Sequence, residues 1–154
     1  MKTESAPPIS QLPRAQYAFP GELRDTIVTA ILAGEKTATS SLLAEYELGG
    51  ETLPEVGLLE AVVDSHDNVV CVTRVKEVKV VPVADVDDSH AIAEGEGYQN
   101  SDEWRLDHER FLASHEYVTS IGRITLSDST SVVCVSFELD KRYPTREITA
   151  WDET

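Results

Sequence analysis

Sulfur is scarce in this chain: two cysteines and one methionine in 154 residues. Cys71 and Cys134 each lie inside an apolar run, and neither belongs to a Cys-x-x-Cys pair or to a Cys/His cluster with metal-ligand spacing. That excludes a zinc signature and leaves two buried, inert thiols as the expectation. Basic residues are also few, 13 Lys+Arg against 28 Asp+Glu, for a net charge of -15. A field of that sign repels polyanions at long range, so broad binding to duplex DNA is excluded, whereas a locally basic cleft admitting a nucleoside or a short single strand is not. No stretch approaches the roughly 20 apolar residues of a membrane span. The opening Met1–Pro8 has no apolar core of a secretory signal, so the expected location is cytoplasmic, without membrane contact. Gly-rich phosphate loops and the Gly-x-Ser-x-Gly elbow are missing as well, which disfavours the chemistries built on them.

What is present suffices for one domain: at 41% hydrophobic residues a chain of this length buries a core without staples. Residues 1–16, rich in Ser, Pro and Gln and interrupted by Pro7, Pro8 and Pro13, read as a disordered tail, residues 17–142 as the domain, and residues 143–154 as a C-terminal tail, polar except for Ile148 and Trp151. Leu23, Ile27, Ala30 and Ile31 recur at helical spacing and predict a helix over 22–33 that Gly34 stops. Residues 37–43 are β-prone, and 44–50 read as one helical turn ended by Gly49-Gly50. Leu58–Val63 and Val69–Val75 read as strands joined at Asp64–Asn68, with β-branched character continuing to Pro82. Residues 85–94 are acidic and partly helical. A second helix is predicted over 101–115, capped by Ser101, and a last strand over 132–139. Strands outnumber helices and do not alternate with them, which predicts an α+β fold: a small mixed or antiparallel β-barrel flanked by two main helices.

Lys36 is the first candidate for chemistry. Two residues past a helix-ending glycine, it can be aimed into a cleft as a nucleophile or base, or as a fixed cation for an oxyanion or phosphate; otherwise it is a solvated lysine beside one of many acids. Thr39 follows three residues later, a spacing that in an extended segment points the two side chains to opposite faces unless the chain bends. The run Ala93-Glu94-Gly95-Glu96-Gly97 joins two carboxylates to two glycines that permit close backbone approach. Trp104 and His108 share one helix face, to stack a base or simply to pack. Tyr46 can line a cleft with its hydroxyl. His108 and His115 are also on one face, but no further metal ligands accompany them, so neither a metal nor a cofactor is expected.

In order along the chain, Gly34-x-Lys36-x-x-Thr39, Ser41–Tyr46, Leu53-Pro54-x-x-Gly57, Ala93–Gly97, Trp104-x-x-x-His108 and Cys134-x-x-Phe137 resemble the longer bacterial branch of the ASCH domain family, over roughly residues 19–140. The resemblance implies a PUA-like β-barrel and a link to RNA. Small bacterial members hydrolyse N4-acetylcytidine with a lysine, a threonine and a glutamate, which places Lys36, Thr39 and Glu96 in catalytic roles, with Glu94 competing for the glutamate position. Other members cleave RNA with polar residues of the same cleft, where Tyr46 is the candidate, and many are regarded as RNA-binding only. The implied partner is therefore a modified nucleoside or single-stranded RNA, contacted also by Glu94, Trp104 and His108. The N-terminal tail, the Trp104 helix and the segment 117–129 depart from the small amidohydrolases.

Overall fold

The computed structural model describes residues 6–152. In chain order it contains β1 (Arg14–Ala15), α1 (Glu22–Leu32), β2 (Ala38–Leu42), α2 (Leu43–Gly49), β3 (Leu59–Val63), β4 (Val69–Pro82), α3 (Asp88–Ala93), α4 (Ser101–Leu112), α5 (His115–Ser120) and β5 (Ser131–Leu139). The expected α+β class holds, with α1 and α4 as the two long helices.

The five strands form one sheet in the order β1-β3-β4-β5-β2, parallel only between β1 and β3. The edges β1 and β2 do not meet, so the sheet is open and the expected closed barrel is not formed. With two residues, β1 is too short to carry a ladder round to the far edge. The long β4 serves two partners: its first half pairs with β3, and a bulge between Val75 and Glu77 re-aims the strand along β5.

Helix α1 buries Ile27, Val28 and Ile31 against Val62, Cys71 and Phe137 of the sheet. A second cluster gathers Leu42, Val132, Trp104, Leu112 and Tyr117 beneath α3, α4 and α5, and a third joins Val75, Val133 and Val135 to Leu43 and Tyr46 of α2. The helix expected over 101–115 is divided, because Ala113 closes α4 and the Ser114 hydroxyl accepts the Tyr117 amide to start α5. The cap of α4 is Asn100 rather than Ser101, its side chain accepting the Glu103 amide at 2.9 Å.

Both expected tails include ordered residues. Of residues 1–16, positions 1–5 lie outside the described residues. Ile9–Gln11 form a 3-10 turn, and Ala15 is buried beside Val62 in β1. In residues 143–154, of which 153–154 lie outside the described residues, the Arg146, Thr149 and Trp151 amides donate to Val70 O, Asp64 Oδ2 and Asp25 Oδ2, at 2.9, 3.0 and 2.7 Å. Cys71 is buried, which pushes its thiol up to about 12, and Cys134 is half-buried. Among the described residues no helix is long and apolar enough to cross a membrane.

Candidate functional site

Two helix ends meet at the site. At the end of α1, Gly34 takes a left-handed φ of +76° and donates to Ile31 O, while the Glu35 and Lys36 amides both converge on Ala30 O at 3.0 and 3.1 Å. This glycine-terminated hook satisfies the last carbonyls and turns the chain sharply. It puts Lys36 outside the helix and just before β2, so the face alternation of a strand does not separate Lys36 from Thr39. At the end of α3, Gly95 adopts φ +67° and presses its backbone against residues 35–36. The Thr37 amide donates to Ala93 O at 2.8 Å, tying the two turns together.

Lys36 is 2% exposed and Glu94 1%. Lys36 Nζ donates to the Glu94 carbonyl and to Glu96 Oε2, both at 3.1 Å, and stands 4.0 Å from Glu94 Oε1. Two of the three ammonium protons are thus used by the protein. Buried charge is tolerated only when paired, and here two carboxylates and a carbonyl surround one cation.

Around Glu94 the partners are dense. Ser40 Oγ and Trp104 Nε1 both donate to Glu94 Oε2. His90 Nε2 lies 2.8 Å from the same oxygen without making a well-aligned hydrogen bond, and His108 Nε2 is 3.8 Å from Oε1. Burial opposes charge on Glu94, but His90, His108, Lys36 and the Ser40 hydroxyl outweigh it, holding the carboxyl below the usual range. His90 is shifted the other way. Burial disfavours its charge, yet the neighbouring Cys134 and Glu94 raise it to about 9. The Trp104 carbonyl can only accept, so His108 Nδ1, 2.8 Å away, carries a proton.

Lys36, Thr39, Tyr46, Glu94, Glu96, Trp104 and His108 all line one cavity of about 850 Å³, between α1, α2, α4 and the sheet. They are not equivalent within it. Trp104 is 1% exposed with His108 stacked on it at 4.3 Å, so its ring packs and its N–H anchors Glu94. Glu96 keeps 18% of its side chain exposed, and its Oε1 is not drawn into the lysine contact. Thr39 and Tyr46 are half-buried on the sheet side, and burial raises the Tyr46 phenol. His115 stands apart at the start of α5, and among the described residues no cluster of three or more His, Cys, Asp or Glu could hold a metal ion.

Sequence reasoning missed Ser40, His90, Tyr17, Glu60 and Tyr98. Ser40 alternates with Thr39 and was masked by the motif's threonine. His90 stands four residues before Glu94, a helical spacing that the sequence did offer. Tyr98, tied through its hydroxyl to Asp107, and Glu60 come to the cavity through the tertiary fold alone.

A family model described as ASCH domain matches residues 15–141 of the chain. Among solved structures, the ASCH domain from Lactobacillus crispatus JV V101 is similar at a TM-score of 0.64 and 26% identity, over 75% of this chain and 70% of that one. Protein EF3133 from Enterococcus faecalis V583 is similar at a TM-score of 0.62 and 29% identity, over 73% of this chain and 65% of that protein's length. No curated protein matches the chain.

Proposed function

The chain belongs to the ASCH domain family, and from that premise we propose that the cavity around Lys36 binds a modified cytosine nucleoside and hydrolyses its N4-acetyl amide. Members of the family are generally RNA-binding, which is the coarse class of partner that the match carries. The observation favouring a hydrolase is the burial of Lys36 between Glu94 and Glu96 at the wall of a cavity that Thr39 also lines. A surface lysine has no such cage.

The caged geometry favours one division of labour. Lys36, already holding two acceptors, directs its remaining N–H at the acetyl carbonyl oxygen and stabilises the oxyanion as it forms. Glu94, saturated with donors, stays ionised and fixes Lys36. Glu96, partly open, accepts a proton from a water held by Thr39 as the water oxygen bonds to the carbonyl carbon. The same carboxyl returns that proton to N4 as the C–N bond breaks, releasing acetate and cytidine. In this reading Glu94 anchors and Glu96 transfers.

Cleavage of single-stranded RNA fits less well. The cavity wall carries Glu45, Glu51, Glu60, Glu94, Glu96 and Asp107 against Arg14 and Lys36, a balance that repels phosphates. The test is acetate release from N4-acetylcytidine. Wild type should turn over, and Lys36→Ala should lose about 100-fold or more in kcat, the scale of losing an oxyanion donor. Saturable binding without acetate release would reduce the protein to a non-catalytic binding module, and cleavage of a labelled single-stranded RNA by wild type but not by Lys36→Ala would establish the ribonuclease reading instead.

A further inference from the structure

The cavity has a second polar end, on the same sheet face as Thr39. Thr39 pairs with Val135; Phe137, two residues on, pairs with Val75; Thr73, two residues back, pairs with Glu60. Side chains two apart share a face, so Thr39 and Glu60 point the same way, and Thr39, Val135, Phe137, Val75 and Glu60 all line the cavity. Strands β2 and β3 stand three spacings apart in the sheet order, about 14 Å before curl. Such a span suits a molecule with two distinct ends rather than one small group.

Two phenols share the cavity with Glu60. Tyr17 and Tyr46 line the same cavity, and each phenol is raised first by burial and further by the charge of Glu60. Burial alone raises Glu60 itself, and no cation among the described residues compensates it. This end is also rigid. The buried Arg24 donates to Tyr17 O at 2.8 Å and to Ala18 O at 3.0 Å, fixing the turn that carries Tyr17. A half-buried carboxylate in a cavity that two phenols also line can accept paired donors from a ligand.

We propose that Glu60, with Tyr17 and Tyr46, binds the vicinal hydroxyls of a ribose, so that the cavity selects a riboside over the deoxyriboside or the free base. This rests on the nucleoside reading and adds to it: the Lys36 end takes the acylated base and the Glu60 end takes the sugar. A carboxylate distinguishes a diol from a single hydroxyl because both oxygens accept at once, and a deoxy analogue leaves one of them buried and unsatisfied.

Calorimetric binding of N4-acetylcytidine, its 2′-deoxy analogue and N4-acetylcytosine tests this, using wild type, Glu60→Gln and Tyr46→Phe. Wild type should bind the riboside about tenfold or more tighter than the deoxyriboside. Glu60→Gln should lose most of that preference, the riboside weakening more than the deoxyriboside. Tyr46→Phe, which deletes one hydroxyl and keeps the ring, should narrow it. Equal affinity of wild type for riboside and deoxyriboside overturns this inference and leaves the nucleoside reading standing. No binding of any of the three at millimolar concentration overturns both. The wild-type comparison needs no variant to fold.

Discussion

Replacing Gly95 with alanine asks how tightly the two helix ends must approach for Lys36 to reach its cage. A Cβ at Gly95 would lie 2.4 Å from Glu35 O, 2.6 Å from Glu35 C and 2.6 Å from Lys36 Cα. All three are backbone atoms, so no side-chain rotation relieves the clash. Two costs follow. The left-handed φ of +67° disfavours any residue with a Cβ by about 1–2 kcal/mol. Separating the turns also gives up the Thr37 amide bond to Ala93 O, about 0.5–1.5 kcal/mol net, and the Lys36 ammonium bond to Glu94 O, about 1.5–3 kcal/mol. Gly34 supplies the control. It has a similar φ of +76° but nothing within 4 Å of an added Cβ, so Gly34→Ala should show the first cost alone. Urea unfolding should place Gly95→Ala about 2–4 kcal/mol below Gly34→Ala, and thermal melts should separate the two by about 5–15 °C. If the two variants melt together, the close contact between the turns is not what holds Lys36, and the argument for a rigid site fails.

Two further predictions concern titration and the C-terminal segment. His90 is raised to about 9 in the folded protein from an ordinary value near 6.5. Its stabilisation is therefore fully present below about pH 6.5 and is lost as pH rises through about 9. Unfolding free energies measured from pH 6 to 10 should fall for wild type and stay flatter for His90→Gln; parallel profiles would refute the assignment. Asp64 is 0% exposed and accepts the His66, Asn68 and Thr149 amides at 2.9, 3.0 and 3.0 Å, donors that outweigh burial and hold its carboxyl low. Asp64→Asn should cost about 2–4 kcal/mol and open residues 141–152 to proteolysis, since an amide cannot accept from the same set with both of its termini. A cost below about 1 kcal/mol would show that the C-terminal segment holds without Asp64.

Much of the fold was legible because the signals were local. The stripe Ile27, Ala30, Ile31 and the stop at Gly34 gave α1 within one residue at its C-terminus, and the β-branched runs gave β3, β4 and β5. Barrel closure was not legible, since it depends on whether two short edge strands meet, and neither strand's own residues encode that. The N-terminal segment read differently from composition: Pro7, Pro8 and Pro13 suggested a tail, yet Arg14 and Ala15 form a strand once β3 offers a partner.

The site divides along the same line. Sequence alone determined that a lysine follows a helix-ending glycine and that two carboxylates alternate with two further glycines, because helix stops and left-handed turns are written in adjacent residues. It did not decide which glutamate does what, since Glu94 and Glu96 differ only in what surrounds them. Tertiary structure gives them different surroundings: contacts spanning 58 and 60 positions of chain bring Lys36 to both, bury Glu94 under Trp104 and leave Glu96 partly open. It alone set Glu60 on the face of Thr39, because strand register, not sequence proximity, decides which side chains look into the same cavity.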